Sequence, residues 1–333
     1  MTVFSELHRR GRRLAAPVLL SALVAGLLAA CGGGTSQIEA FQPARLIVLG
    51  DEHSVIVDDG AANGRKYSIN GLEATTQTRD CLLLPNWAQS LATVYGFVFA
   101  ECNKAAAVPK AFMRAKVGAT VEHPTLGLAA QLAEQTALGG AVTSADMVGV
   151  MIGANDLLSL ADRMQAGTLT QDAAVAEARR LGTVVAERVN QLLATGARAM
   201  VVTAPDMGYS PHVLALDRLT PGLAERARTL TFEFNATLRT GIDPARFDGR
   251  NYGLVLADDV VQSMARLPAI YGLSNVVDGV CQKVLPDCNA IAADLIGDVS
   301  ISSYLWADAR HMTPTVHAQI ATQAVSRAQN NPF

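Results

Sequence analysis

The chain has 333 residues, with 27 Lys+Arg against 30 Asp+Glu and a formal net charge of -3. Half of it is hydrophobic and 17% is charged, which excludes a disordered chain. A pI of about 6.1 excludes the basic excess of a nucleic-acid binder, and a mean hydropathy of +0.22 asks where the apolar residues lie.

The first thirty residues answer part of that. His8-Arg9-Arg10-Gly11-Arg12-Arg13 is a basic start, and Leu14 to Ala30 is an uncharged apolar run, short for a bilayer span. Leu28-Ala29-Ala30-Cys31 then leads into Gly32-Gly33-Gly34. Positive flank, apolar stretch and small residues at a cleavage point make residues 1–30 an export signal. A Cys after Leu-Ala-Ala resembles a bacterial lipobox, which implies lipidation of Cys31 and a tether over 31–43. Gly32 follows, with no Asp to hold the protein at the inner membrane, so the expected location is the outer membrane. Residues 1–30 hold four Arg and one Glu, so the exported chain carries 23 Lys+Arg and 29 Asp+Glu, a net charge of -6. The expectation is a monomeric domain over 44–333 that meets the membrane only through Cys31 and binds no nucleic acid. Four cysteines remain, an even number in an oxidising compartment. Proximity along the chain favours Cys81–Cys102 and Cys281–Cys288, and neither pair has metal-ligand spacing.

The domain alternates short apolar runs with helical patterns. Arg45 to Leu49 is a run closed by Gly50-Asp51. Thr125 to Leu138 has helical spacing. Asp146 to Ile152 is a second run, closed by Gly153, and Gln171 to Ala197 reads as a long helix. Ala199 to Thr203 is a third run, and Pro221 to Leu238 an amphipathic helix with Pro at its start. Tyr252 to Leu256 is a fourth run, and Thr313-Pro314 opens a last helix to about Gln329. Runs buried on both faces suit parallel strands. The fold class is therefore α/β: a three-layer α/β/α sandwich with a central parallel sheet. Ligands in such folds bind at the carboxyl ends of the strands.

Those ends hold unusual polar residues: Gly50-Asp51-Glu52-His53-Ser54, then Gly153-Ala154-Asn155-Asp156, then Asp308-Ala309-Arg310-His311 before Thr313-Pro314. Gly118 lies between the first two. In this order the blocks resemble the SGNH or GDSL esterases and lipases across nearly the whole exported chain. Gly153 to Asp156 is similar to that family's G-x-N-D block, and Asp308 to His311 to its D-x-x-H block. Pro85-Asn86-Trp87, Pro205 to Gly208, Phe234-Asn235 and Tyr271 to Asn275 are weaker echoes. The resemblance implies ester hydrolysis without a metal or organic cofactor. It assigns His311 as base, Asp308 as its orienting carboxylate, and Gly118 N–H and the Asn155 amide as oxyanion donors. The chemistry is coherent, because a serine hydroxyl needs a base and an orienter for that base. The substrate would be a lipid, acylglycerol or acetylated polysaccharide, with specificity in loops such as 61–115 and 260–300.

The first block departs from the family's Gly-Asp-Ser, because Glu52 stands in the nucleophile position. Three readings stay open. In the preferred one the turn is two residues longer and Ser54 is the nucleophile. In the second, Glu52 sits at the strand end and acts as a general base on water or holds His311. If a helical turn comes next, two residues rotate the chain by about 200° and Ser54 points away. In the third, the pocket binds a ligand without hydrolysing it. His53 reads as a polar turn residue without an obvious Asp partner, His123 and His212 as loop residues, and His317 as helix surface. No Gly-x-Ser-x-Gly elbow and no dinucleotide-type glycine motif occurs.

Overall fold

A computed structural model describes residues 41–58, 60, 63–103, 105 and 108–330. The expected export signal, Cys31 and the expected tether as far as residue 40 lie outside the described residues. The first strand, β1 (Arg45–Gly50), is followed by a small antiparallel pair, β2 (Ile56–Val57) and β3 (Arg65–Lys66). Then come β4 (Ala111–Met113), β5 (Asp146–Met151), β6 (Arg198–Val202) and β7 (Tyr252–Val255). The last two, β8 (Asn275–Gly279) and β9 (Tyr304–Trp306), form a separate parallel pair. The main sheet has the order β4-β1-β5-β6-β7 and every pairing in it is parallel.

Strand residues alternate between two cores, as a period of two demands. Leu46, Val48, Met147, Met151, Met200 and Val202 face one side. There they meet Trp87 and Leu91 of helix Trp87–Val94, Val261 of helix Ala257–Arg266, and Ile320 of helix Pro314–Asn330. Ile47, Leu49, Val148, Val150, Ala199 and Val201 face the other side, against Val185 of helix Gln171–Ala194 and Phe234 of helix Leu223–Gly241. The expected three-layer sandwich is therefore present. The four strands read from apolar runs are β1, β5, β6 and β7. The fifth, β4, is a three-residue edge strand that a run too short to register could not announce.

Loops at the carboxyl ends of the strands are tied down separately. Cys81–Cys102 and Cys281–Cys288 are both formed, in the pairing that chain proximity favours. A third, smaller core gathers Ile69, Val280, Leu285, Cys288, Leu295, Tyr304 and Ala307 around the second bridge. Asn70 stitches the 65–72 segment to this framework: its amide donates to Pro286 O at 2.8 Å while its oxygen accepts from Lys66 N at 2.9 Å.

The turn after β1 is held most tightly. Gly50 has φ of 140°, and a Cβ there would lie 1.8 Å from Met151 O. Gln131, fully buried in helix Leu128–Gly139, clamps the same residue. Its Oε1 accepts from Gly50 N and its Nε2 donates to Gly50 O, both at 2.8 Å. Gly50→Ala is expected to destabilise the fold by about 1–3 kcal/mol or more, as an overpacked and strained site. Urea unfolding checks this, and a midpoint equal to wild type would show that the close approach does not constrain the turn.

Candidate active site

Past Gly50 the chain makes one tight turn. Ser54 N donates to Asp51 O at 3.0 Å, and Val55 N to Glu52 O at 3.2 Å. With so helical a turn, Glu52 and Ser54 face opposite ways. Ser54 is fully buried. Its Oγ accepts from Trp87 Nε1 at 3.1 Å and its carbonyl accepts from Asn86 Nδ2 at 2.9 Å. The structure thus does not bring Ser54 to the expected place: the turn is not lengthened, and the hydroxyl accepts from a buried indole.

Glu52 faces the other residues of the set. Its Oε2 accepts from Gly118 N at 3.0 Å and from Asn155 Nδ2 at 2.8 Å. Its Oε1 lies 3.7 Å from His311 Nε2. His311 Nδ1 meets both Asp308 oxygens at 2.9 Å. Asp308 Oδ1 also accepts from the backbone N–H of Arg310 and of His311, each at 2.8 Å, so the loop is wound around its carboxylate. Gly118, Asn155, His311 and Asp308 are brought together, with Glu52 between the first two and His311.

Each element has a local reason. Asn155 stands in the first turn of helix Ala154–Gln165, which Gly153 opens with φ of 123°. Its amide also donates to Ala119 O at 3.0 Å, which aims it. Gly118 is needed for its φ of 73°; a Cβ there would meet nothing within 4 Å, so crowding is not the reason. Asp156 turns away from the site and its oxygens accept from Val121 N. His53 has a carboxylate partner after all, since its Nδ1 meets Asp51 Oδ1 at 3.1 Å. The rings of His53 and Tyr67 lie 5.6 and 5.3 Å from that of His311. Tyr67 carried no signal in the sequence, because the loop that brings it is placed by Asn70 and the second disulfide. Two minor readings are also corrected. His212 lies in helix Pro211–Leu219 and pairs with Asp162 at 2.6 Å. His317 is buried, 1% exposed, and burial holds its pKa down to about 3.

Charge is shared within the set. Burial disfavours the His311 cation, but Asp308 and Glu52 outweigh it and raise the pKa to about 9. Burial likewise opposes the Glu52 anion, yet His311, His53 and Asn155 lower its pKa to about 2. At neutral pH the site is therefore a carboxylate, an imidazolium and a second carboxylate in line. Among the described residues no group of three or more His, Cys, Asp or Glu could hold a metal ion.

The family model for GDSL-like lipases and acylhydrolases matches residues 61–324. The chain belongs to this family. The GDSL-like stretch takes in Gly118, Asn155, Asp308 and His311 and begins after the turn that carries Glu52. Membership supports a hydrolase acting on esters. Among solved structures, the chain is similar to a phospholipase A1 from Streptomyces albidoflavus NA297, at 12% identity. That match covers 83% of this chain and 95% of the other, with a TM-score of 0.37. No curated protein matches the chain.

The GDSL-like site predicts its own titration. His311 with a raised pKa stabilises the folded state below its ordinary value of 6.5, and that contribution is lost as pH rises through about 9. Glu52 contributes above its ordinary 4.5 and stops contributing as pH falls through about 2. Glu52→Gln removes one of the two anions beside His311 and is expected to lower its pKa. NMR titration of the imidazole checks this, and an unmoved midpoint would show that Glu52 does not hold the proton there.

Proposed function

We propose that this chain is an ester hydrolase whose reacting carboxylate is Glu52, working with His311 and Asp308. One observation carries the reading: the Glu52 side chain spans from the two donors Gly118 N–H and Asn155 Nδ2 to the imidazole of His311. At neutral pH Glu52 holds an electron pair and His311 a proton. Ester cleavage needs both, one to attack the carbonyl or to direct water at it, the other to leave with the alcohol. Asp308 keeps the imidazole in one orientation and balances its charge. No serine acyl-enzyme belongs to this scheme, because Ser54 is committed to Trp87.

The test uses p-nitrophenyl acetate and a fluorophosphonate probe. Wild type should turn over the ester and stay unlabelled. Glu52→Gln and His311→Ala should each lose about 10²–10⁴-fold in rate. Ser54→Ala should keep its rate within a few-fold. Glu52→Ser should become labelled, since it puts a hydroxyl in a corner furnished with base and donors. Wild-type turnover no faster than Glu52→Gln would overturn the reading and favour a binding protein on a hydrolase fold. Probe labelling of wild type that vanishes in Ser54→Ala would return the role to serine.

The reading includes location. Leu28-Ala29-Ala30-Cys31 after a basic, apolar leader supports a lipid anchor on Cys31 in the outer membrane. Among the described residues no helix is long and apolar enough to cross a membrane. Metabolic labelling with a palmitate analogue should mark the protein and fail in Cys31→Ser; label that persists in the variant refutes the anchor.

A further inference from the structure

The two oxygens of Glu52 live in different surroundings. Oε2 takes both donors, at 3.0 and 2.8 Å. Oε1 has no hydrogen-bond partner among the described residues and stands 3.7 Å from His311 Nε2, beyond hydrogen-bond length. That nitrogen is itself buried and without a partner among the described residues. One oxygen is thus held as a developing oxyanion would be held, and the other is left bare beside an acid.

This division is of little use to a general base. Two donors on one oxygen stabilise the anion and make the carboxylate a weaker base. It is what a carbonyl centred on Glu52 Cδ needs. If a group is joined to Oε1, Oε2 becomes the carbonyl oxygen and already lies in the donor pair. Water attacking Cδ would then place its negative charge on Oε2, where Gly118 N–H and the Asn155 amide stand ready.

We propose that Glu52 Oε1 is a nucleophile toward esters with weakly basic leaving groups, aryl esters and thioesters, and that water attacks Glu52 Cδ in the second step. This rests on the reading of the chain as an ester hydrolase through Glu52. In the first step Oε1 bonds to the acyl carbon of the substrate, and the bond from that carbon to the leaving oxygen or sulfur breaks. The leaving atom takes the proton of His311 Nε2. A mixed anhydride now joins Glu52 to the acyl group, and Glu52 carries no charge. One of the two anions that kept His311 protonated is gone, so the neutral imidazole can take a proton from water. The water oxygen bonds to Cδ, the Cδ–Oε1 bond breaks, and the acyl group leaves as its carboxylate with Oε1 attached. Glu52 is reformed with one oxygen from water and releases its proton to solvent. The sum is ester plus water giving carboxylate, a proton and the alcohol, phenol or thiol.

The substrate class comes from an asymmetry between the steps. In the first, Oε2 fills the donor pair, so the attacked acyl oxygen finds no oxyanion site. The attacking carboxylate is also weakly basic. Only a leaving group that departs readily compensates. The second step has the donors in place. The first step is therefore rate-limiting, and rates should fall steeply from p-nitrophenyl to phenyl to alkyl esters.

The experiment is a single turnover of p-nitrophenyl acetate by excess full-length enzyme in water enriched in oxygen-18. Trypsin then releases Leu46–Arg65, in which Glu52 is the only glutamate. The expected result is one oxygen-18 in that peptide and none in the acetate. Hydroxylamine added during turnover should leave a hydroxamate on Glu52. Oxygen-18 in the acetate with none in Glu52 overturns the proposal while leaving Glu52-dependent ester hydrolysis intact, because Glu52 then only directs water. Turnover no faster than that of a folded Glu52→Gln variant overturns both.

Discussion

The close approach of Gly50 to the carbonyl of Met151 sets the rest of the site. A Cβ would sit 1.8 Å from that oxygen, so the chain can leave β1 only with glycine there and only on one path. Gln131 closes the path from the other side through both of its amide atoms. The chain then makes a single short turn, closed by Ser54 N–H on Asp51 O and Val55 N–H on Glu52 O. The side chain presented to Asn155 and His311 is therefore that of residue 52.

Once a carboxylate occupies that corner, the electrostatics of the neighbours change. In an acylhydrolase with serine there, the donor pair would wait for charge that appears only during reaction. Here Gly118 N–H and the Asn155 amide hold an anion at neutral pH, and His311 between two carboxylates is held protonated. Charge-assisted hydrogen bonds of this kind are strong, and the low dielectric of a mostly buried site strengthens them further. In its resting state the donor pair is therefore already engaged by Glu52 itself.

The supporting loops matter as much as the sheet. His311 and Asp308 lie beyond β9, which pairs with β8 and not with the main sheet. Their placement depends on the small core around Cys281–Cys288 and on Asn70, which joins the Tyr67 loop to the same framework. The segment that carries the imidazole is thus anchored twice: in this small core through Tyr304 and Ala307, and in the main core through Leu305, Trp306 and Met312.

The sequence alone determined the layered sheet, because four short continuous apolar runs alternate with helical stretches. It also pointed to Gly118, Asn155, Asp308 and His311 as one cluster, since they stand in order at the ends of those elements. It left the reacting residue open between Glu52 and Ser54, which are two places apart and equally plausible as text. Only the tertiary structure shows which of them faces His311, through contacts that no local pattern announces. Gln131 lies about eighty residues from the turn it clamps, and Trp87 about thirty from the hydroxyl it engages. Those contacts join residues far apart in the chain, which packing of the helices on the sheet brings together. The facing of one short turn is a property of packing, and it decides whether a serine or a glutamate meets the histidine.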